Sequence, residues 1–456
     1  MKKTSLYILA LSSLCALASC NKQLDQQPHQ QIQQSEAIMT ASDVQITLVG
    51  AYNRTALRDL YGGGISLYPD LMGTQTVINW QGTFQGLSQL VSQTIPNDNG
   101  FINNIWSAAY QSINQSNSVL ANLSKVSAAN ASRTEGEALF LRGLVYFDLA
   151  RTFGRSWNDG NPATNLAVPI VLTPTTVISQ SSYVSRSTVA QVYQQAITDL
   201  TAAEAKLPAM NNFYASSSAA SAILARLYLQ KGDYANAAQE ASKVIATGAY
   251  SLNARYSDEF PYPGSQPAHL DNTAEDIFAF QVTNQQGINY LNTFYASSDN
   301  AGRGDIVIRN SFVNEFETGD TRLAEYNMDS GGILRCDKFD NKYGNVHIIR
   351  LAELYLIRAE ANLRISATSA IGAAPLADLN RIRARAGIAP VLLATLTNVL
   401  TERRHELAFE GGFFYHDAKR LGQDLTPLPY SSPKLVFPIP LQDINANPKL
   451  VQNPGY

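Results

Sequence analysis

The feature that most restricts how this chain can fold is a pair of small-residue-rich helical stretches around a glycine turn. Residues 219–230 (AASAILARLYLQ) are rich in Ala and Leu, Lys231-Gly232-Asp233 reads as a turn, and residues 234–246 (YANAAQEASKVIA) return to helical spacing, with Gly248 as a C-cap candidate. Ala222, Ala225, Ala237 and Ala241 let two helices approach closely, while Leu224, Leu227, Tyr228, Tyr234 and Val244 fill the space between them. A helix, a Gly-Asp turn, an aromatic residue and a second Ala-rich helix make up the tetratricopeptide pattern. A second copy begins at Arg350, with 350–364 (RLAELYLIRAEANLR) and 373–386 (AAPLADLNRIRARA) ended by Gly387; a weaker partner covers 134–153, ended by Gly154. Residues 187–205 and 396–420 read as further helices, and helical patterning begins near Ser42. The expected fold is mostly α, a helical-repeat scaffold made irregular by long insertions that separate its copies rather than letting them stack in series.

The insertions have a different texture. Residues 61–100 carry Gly62-Gly63-Gly64, Trp80 and several Thr, Gln and Asn, and residues 249–312 combine many Tyr and Phe with Pro and Gly. Short β patterns stand at 277–282 (IFAFQV) and 435–439 (LVFPI). An irregular, loop-rich half with short strands is therefore expected beside the helices, and loops on a rigid scaffold are where binding residues usually lie.

The first residues address the chain to an envelope. Lys2 and Lys3 precede an apolar run, 5–17, too short to span a bilayer, and the stretch closes Leu17-Ala18-Ser19-Cys20. Small residues before a cysteine fit a lipoprotein signal peptidase. Residues 1–19 are thus expected to be a signal peptide and Cys20 the lipid anchor, each buried CH₂ of its acyl chains contributing roughly 0.8 kcal/mol. Residues 20–35, Gln-rich with Pro28, read as a flexible tether, and 36–456 as one domain. Cys15 leaves with the signal and Cys336 has no partner, which excludes a disulfide framework and a Cys-rich zinc site.

A hydrophobic fraction of 45% supports a sizeable core, yet no later apolar run reaches the roughly 20 residues of a membrane helix. The charge of −3 becomes −5 once Lys2 and Lys3 are removed, with 32 Lys+Arg against 37 Asp+Glu. Without a basic stripe, nucleic acid is not an expected partner. A charged fraction of only 16% with abundant Asn, Gln, Ser, Thr and Tyr suits neutral polar ligands.

Several fragments in order resemble one family. Leu24-Asp25-Gln26-Gln27-Pro28 follows the lipid site; then come EALFLRGLVYFDLARTFG (137–154), FETGDTRL (316–323), IIRLAELYLIRAEANLR (348–364), ERRHELAFEGGFFYHDAKRLG (402–422) and FPIPLQDINANPKLVQNPGY (437–456). Together they are similar to the SusD/RagB family of outer-membrane lipoproteins. The resemblance implies four tetratricopeptide-like helix pairs packed against a loop-rich half. It implies a TonB-dependent β-barrel transporter of the SusC type as partner, with the lipoprotein as a lid on its extracellular mouth. It also implies an oligosaccharide ligand, or a peptide in some members. One departure is Asn345-Val346-His347-Ile348, where the family often has an acidic residue near His347; structural drift is the expected reading.

The resemblance also implies that ligand contacts come from the first long insertion and the one before the GDTR segment, here 61–100 and 284–304. Within them the choice rests on chemistry. Sugar rings offer apolar faces to aromatic side chains and hydroxyl rims to polar ones. Trp80 is the candidate stacking platform, Asn79 its hydrogen-bonding rim and Asp70 an addition; Tyr290, Phe294 and Tyr295 supply further rings, and Arg303 could bridge hydroxyls or a carboxylate. Arg303-Gly304-Asp305 as an integrin-type tripeptide is incidental, and Trp106 and Trp157 are expected in the core.

No nucleophile elbow, zinc-protease helix or phosphate loop is present. The five histidines, at 29, 269, 347, 405 and 416, lack metal-ligand spacing. Catalytic residues, cofactors and metal are therefore not expected. A peptide ligand is the alternative, ahead of glycoside hydrolysis by a carboxylate pair or a purely protein-binding scaffold. Charged residues of the motifs read as structural: Arg403 with Glu406, Glu406 with the face of Glu410, and Asp417 with Arg420, on one buried helix that also carries Phe409, Phe413 and Phe414. Glu353, Arg358 and Glu360 read the same way. The Pro- and Asn-rich tail is expected to be pinned across the helices, with Tyr456 docked by its ring.

Overall fold

The computed structural model describes residues 38–264, 267–285 and 287–456. Cys20, the signal-like segment and the tether lie outside the described residues. Thr40 and Asp43 cap one another's backbone at the start of α1 (Ala41–Thr55). There follow α2 (Gly64–Gly73), β1 (Ile78–Trp80), α3 (Gln85–Val91), α4 (Gly100–Ala121), α5 (Ala128–Phe153), α6 (Val189–Lys206), α7 (Ser217–Lys231) and α8 (Tyr234–Ala246). The second half runs β2 (Asp276–Phe280), α9 (Tyr290–Tyr295), β3 (Ile306–Ile308), α10 (Asn310–Val313), β4 (Val346–Arg350), α11 (Leu351–Ile365), α12 (Pro375–Arg385), α13 (Leu396–Glu406), α14 (Phe413–Leu421) and α15 (Leu441–Ala446). Among the described residues no helix is long and apolar enough to cross a membrane.

The α7–α8 hairpin forms where the sequence places it. Gly232 ends α7 at φ +76°, a left-handed conformation that costs glycine nothing, and Asp233 then caps α8 through Asn236 N–H. Ala222, Ala225, Ala237 and Ala241 are fully buried where the helices meet. The helices pack in succession: α1 on α4, α4 on α5, α5 on α6, α6 on α7, α7 on α8, α8 on α11 and α11 on α12. This corrects the expectation that insertions keep the repeats from stacking. The long segment between α8 and α11 loops out of the row, and the helices on either side of it close the gap. Trp106 is buried and Trp157 packs partly buried against the same core.

Two small antiparallel sheets organise the other half. β1 pairs with β3, Ile78 opposite Ile308 and Trp80 opposite Ile306. β2 pairs with β4, Phe280 opposite Val346 and Asp276 opposite Arg350. Residues 435–439 are buried but form no strand: Leu435 ends a 3₁₀ turn (Pro433–Leu435), and Phe437 N–H donates to the Thr152 carbonyl at 2.9 Å. The Tyr456 hydroxyl donates to the Val436 carbonyl at 2.7 Å, with Lys434 over its ring.

The stretch expected as one helix from 396 to 420 is two. The chain breaks at Phe409 (φ +65°), Gly411 (+56°) and Gly412 (+68°). A left-handed phenylalanine costs on the order of 1–3 kcal/mol, and packing holds it, for its buried ring meets Tyr295, Phe312 and Phe414. The break lets Glu406 and Glu410 converge on one residue. Arg350 donates to Glu275 at 2.7 Å, Glu406 at 2.6 Å and Glu410 at 2.8 Å, and to the Glu406 carbonyl at 2.6 Å. Arg385 bridges Glu275 and Glu406, Arg322 joins Asp320, Glu402 and Glu406, and Lys338 holds Glu410 at 2.8 Å. Arg403 pairs with Asp417 (2.7 Å) and Glu353 (3.5 Å) rather than with Glu406, because the break turns Asp417 back toward it. Asp417 does pair with Arg420, at 2.6 Å.

Neutralising Glu406 by Glu406→Gln leaves buried guanidiniums short of a partner. A loss of about 3–5 kcal/mol is expected in guanidinium chloride unfolding. Burial pushes the Glu410 carboxyl up, but Arg350 and Lys338 more than offset it and hold it at about 2. Its folded pKa lies below the unfolded value near 4.5, so its stabilisation is complete above that value and disappears as pH falls toward 2. The stability difference between wild type and Glu410→Gln should therefore narrow across that window; a constant difference would contradict the pairing.

Candidate ligand-binding face

The β1–β3 pairing decides where the two insertions go. Gln81 N–H extends the ladder to the Asp305 carbonyl at 2.7 Å, so the segments around Trp80 and Arg303 lie side by side. Strand alternation buries Ile78 and exposes Asn79. Trp80 is half-buried. Its indole lies across Gly82, where any Cβ would sit 2.2 Å from the ring, and its Nε1 donates to Ser88 Oγ at 2.9 Å. Glycine at 82 is therefore a requirement of the indole's position.

Around Trp80 the rings form a continuous patch. Phe294 lies 6.0 Å away, Phe84 meets both Phe294 (6.2 Å) and Phe101 (5.9 Å) edge-on, and Tyr290 meets Phe294 at 4.9 Å. Phe84 is 40% exposed. The Arg303 guanidinium covers its ring at 4.6 Å, anchored by Asp305 at 2.9 Å and Thr83 at 3.2 Å. Phe101 also lines a neighbouring open cleft of about 480 Å³ that carries Arg58, Gln85, Gln89, Asp98 and Asn104. Such a volume suits a small-molecule ligand. Rings beside neutral amides and two guanidiniums can stack on an apolar face and hydrogen-bond a hydroxyl rim.

Of the residues singled out from sequence, the structure brings Trp80 and Arg303 together at the surface, through Phe84; Asn79 is exposed, but strand alternation sends its side chain to the opposite face of the ladder from Trp80. Tyr290 reaches the patch with its edge, under Arg58. Phe294 is fully buried and supports the exposed rings from beneath. Two further placements correct the expectation. Tyr295 is interior, its ring against Phe339 and Phe409. Asp70 is interior as well, on the inner side of α2, 1% exposed. Burial pushes its carboxyl well above the usual range, Asp417 and Glu410 add to the effect, and among the described residues no cation pairs with it. Sequence reasoning missed Phe84 and the amides of α3, which follow Trp80 within a few positions but show no periodicity to mark them. It also missed a cluster of Glu259, Asp276 and His347, far apart in the chain and adjacent in space.

Comparison with known proteins agrees with this architecture. The family described as "Starch-binding associating with outer membrane" matches residues 22–229, and the "SusD family" matches residues 336–425. SusD-like protein P2 of Formosa agariphila is 26% identical over the whole of both chains. Among solved structures, a putative sugar binding protein from Bacteroides vulgatus is 27% identical with a TM-score of 0.79, covering 92% of this chain and 99% of that one. A SusD superfamily protein from Bacteroides thetaiotaomicron is 26% identical with a TM-score of 0.76, covering 91% and 100%.

The position of Asp70 yields a test. Its folded pKa lies above the unfolded value near 3.8, so the folded state keeps a proton that the unfolded chain loses, and stability falls as pH rises through that interval. Asp70→Asn should melt later than wild type at pH 8, with the gap closing toward pH 4, and should bind ligand unchanged. Weakened ligand binding by this variant would return Asp70 to the site.

Proposed function

Because this chain belongs to the SusD/RagB family, we propose that it is a cell-surface nutrient-binding lipoprotein that captures an oligosaccharide and passes it to a SusC-type TonB-dependent transporter. The observation that carries the ligand class is the patch of Trp80, Phe84 and Arg303 beside the cleft lined by Gln85, Gln89 and Asn104. Aromatic faces next to neutral amides match the alternating apolar and hydroxylated surfaces of a sugar chain. The 27%-identical protein described as sugar binding supports the same reading. A peptide would want a row of backbone donors and acceptors, whereas the exposed groups at this patch are side chains. The ligand is bound without being converted.

In this reading Cys20 carries the acyl chains, the protein faces outward from the outer membrane, and the helical row grips the barrel while the loop face takes the nutrient. Ligand and transporter then occupy different surfaces.

Trp80→Ala should weaken oligosaccharide binding by at least about tenfold, roughly 1.4 kcal/mol, in calorimetry with a hit from a glycan and peptide array. Co-purification with the barrel should be intact; loss of both or of neither would break the division of surfaces, and an array hit confined to peptides would replace the ligand class. Cys20→Ala should remove the protein from the membrane fraction and abolish labelling by a radioactive fatty acid. Persistent labelling would place the anchor elsewhere.

A further inference from the structure

Beside the β2–β4 sheet, three side chains from separate segments point at one spot. Glu259 ends a short 3₁₀ turn (Tyr256–Glu259), Asp276 opens β2 and His347 lies on β4. His347 Nδ1 is 2.5 Å from Asp276 Oδ1 and 3.4 Å from Glu259 Oε1, and all three donor atoms fall within 4.8 Å of one another. Both carboxylate side chains are wholly buried.

The carboxylates are held in a particular way. Glu259 Oε2 accepts from Asn253 Nδ2 and Thr273 Oγ1, both at 2.6 Å, and Asp276 Oδ2 accepts from Thr273 N–H at 2.8 Å. One oxygen of each is thereby fixed by the surrounding shell. The other, Glu259 Oε1 or Asp276 Oδ1, is aimed at the imidazole. Among the described residues Glu259 Oε1 has no hydrogen-bond partner, though fully buried. An unsatisfied buried carboxylate oxygen costs the full desolvation penalty of that atom, so the arrangement calls for a further group. A small cavity of about 20 Å³, lined by Phe260, Leu270, Thr273, Asp276, Lys338 and His347 among others, opens beside the cluster. It has room for about one water molecule.

We propose that Glu259, Asp276 and His347 form a binding site for a divalent cation of the zinc class, with a cavity water as fourth ligand. Two carboxylates and an imidazole with an open position match the donor types and number of a three-residue zinc site. Calcium prefers six to eight oxygens and does not use imidazole. The oxygens fixed by Asn253 and Thr273 supply the outer shell that orients metal ligands. Zinc–ligand bonds of 2.0–2.2 Å need donor separations of roughly 3.3 Å. The Glu259–His347 spacing already fits, and the Asp276–His347 spacing must widen as the ion replaces the shared proton.

The local charges leave room for a cation. Arg350 and Lys338 are the positive groups near the cluster, but Arg350 is matched by Glu275, Glu406 and Glu410, and Lys338, which also borders the cavity, by Glu410. Among the described residues no Lys or Arg pairs with Glu259, which meets His347 at 3.4 Å. Burial, Asp276 and Glu275 together push the Glu259 carboxyl well above the usual range, while Arg350 opposes them. Burial would lower the His347 pKa, and Asp276 more than reverses that. On binding, the proton shared by His347 Nδ1 and Asp276 Oδ1 passes to solvent while the donor lone pairs go to the metal. The ion would tie β2, β4 and the 3₁₀ turn into one unit.

The test uses the untagged full chain stripped with EDTA. Titration with ZnCl₂ at pH 7 in buffers of different ionisation enthalpy should show one site per chain with proton release, and zinc should raise the melting temperature. Glu259→Gln and, independently, His347→Gln should each weaken binding at least about tenfold while circular dichroism matches wild type. CaCl₂ should not compete. His347→Gln changes a residue that reaches the surface, so it keeps the test valid if Glu259→Gln fails to fold. Zinc uptake that is absent from the wild type, or equal in wild type and His347→Gln, would overturn the site.

Discussion

The fold turns on Arg350. It is the last residue of β4 and the residue that caps α11, so the loop-rich half becomes the helical half at its backbone. Its side chain gathers Glu275 from the segment entering β2, Glu406 from the end of α13 and Glu410 from the corner after it. A guanidinium fully withdrawn from water survives only when its donors are met, and here each neighbouring element brings one acceptor. The surrounding set is nearly balanced: Asp320, Glu275, Glu317, Glu402, Glu406 and Glu410 stand against Arg322, Arg350, Arg383, Arg385 and Lys338. Such a network contributes less to net stability than to uniqueness, because any other docking of the halves would bury an unpaired charge. The left-handed Phe409 belongs to the same logic: it is the strain accepted so that Glu410 can turn inward.

With the two halves locked, the insertions have little freedom in where they meet. The β1–β3 ladder joins strands more than two hundred residues apart in the chain, and its register sets Trp80 beside the loop of Arg303. Gly82 lets the indole lie flat, and Ser88 at the first turns of α3 holds its N–H. Arg303 is tied to both sides of the junction, through Asp305 on its own segment and Thr83 on the other.

Much of the scaffold was legible because its signals are local. Gly232 and Asp233 mark a turn by backbone chemistry alone, and runs of alanine can only be helix surfaces in close contact. The break in 396–420 carries a local signal in Gly411-Gly412, but apolar residues at 409, 413 and 414 continue a helical period and masked it. The two insertions expected to carry ligand contacts do meet, through the β1–β3 ladder, but residue type did not sort their members into surface and interior. Phe294 and Tyr295 look alike in sequence, and both are buried in the short helix α9, one under the surface patch and the other against Phe409. Asp70 read as a polar rim because α2 follows a glycine run and resembles loop; the structure makes it a buried turn of helix. The cluster at His347 left no trace in spacing because its three segments meet only through the β2–β4 register.

The make-up of the patch bears on how such a surface would work. The exposed rings are bordered by the amides of Gln85, Gln89 and Asn104 and by Arg58, Asp98 and Arg303. Selectivity for a neutral ligand then has to come largely from shape. Shape is what the junction supplies. Trp80 is fixed by the ladder, by Gly82 and by Ser88 before any ligand arrives, so binding orders few side chains that were free, at a saving of about 0.5–1.5 kcal/mol for each rotamer already set. A weak stacking interaction on such a platform is worth more than the same ring on a mobile loop, and it is the β1–β3 ladder that keeps the platform from moving.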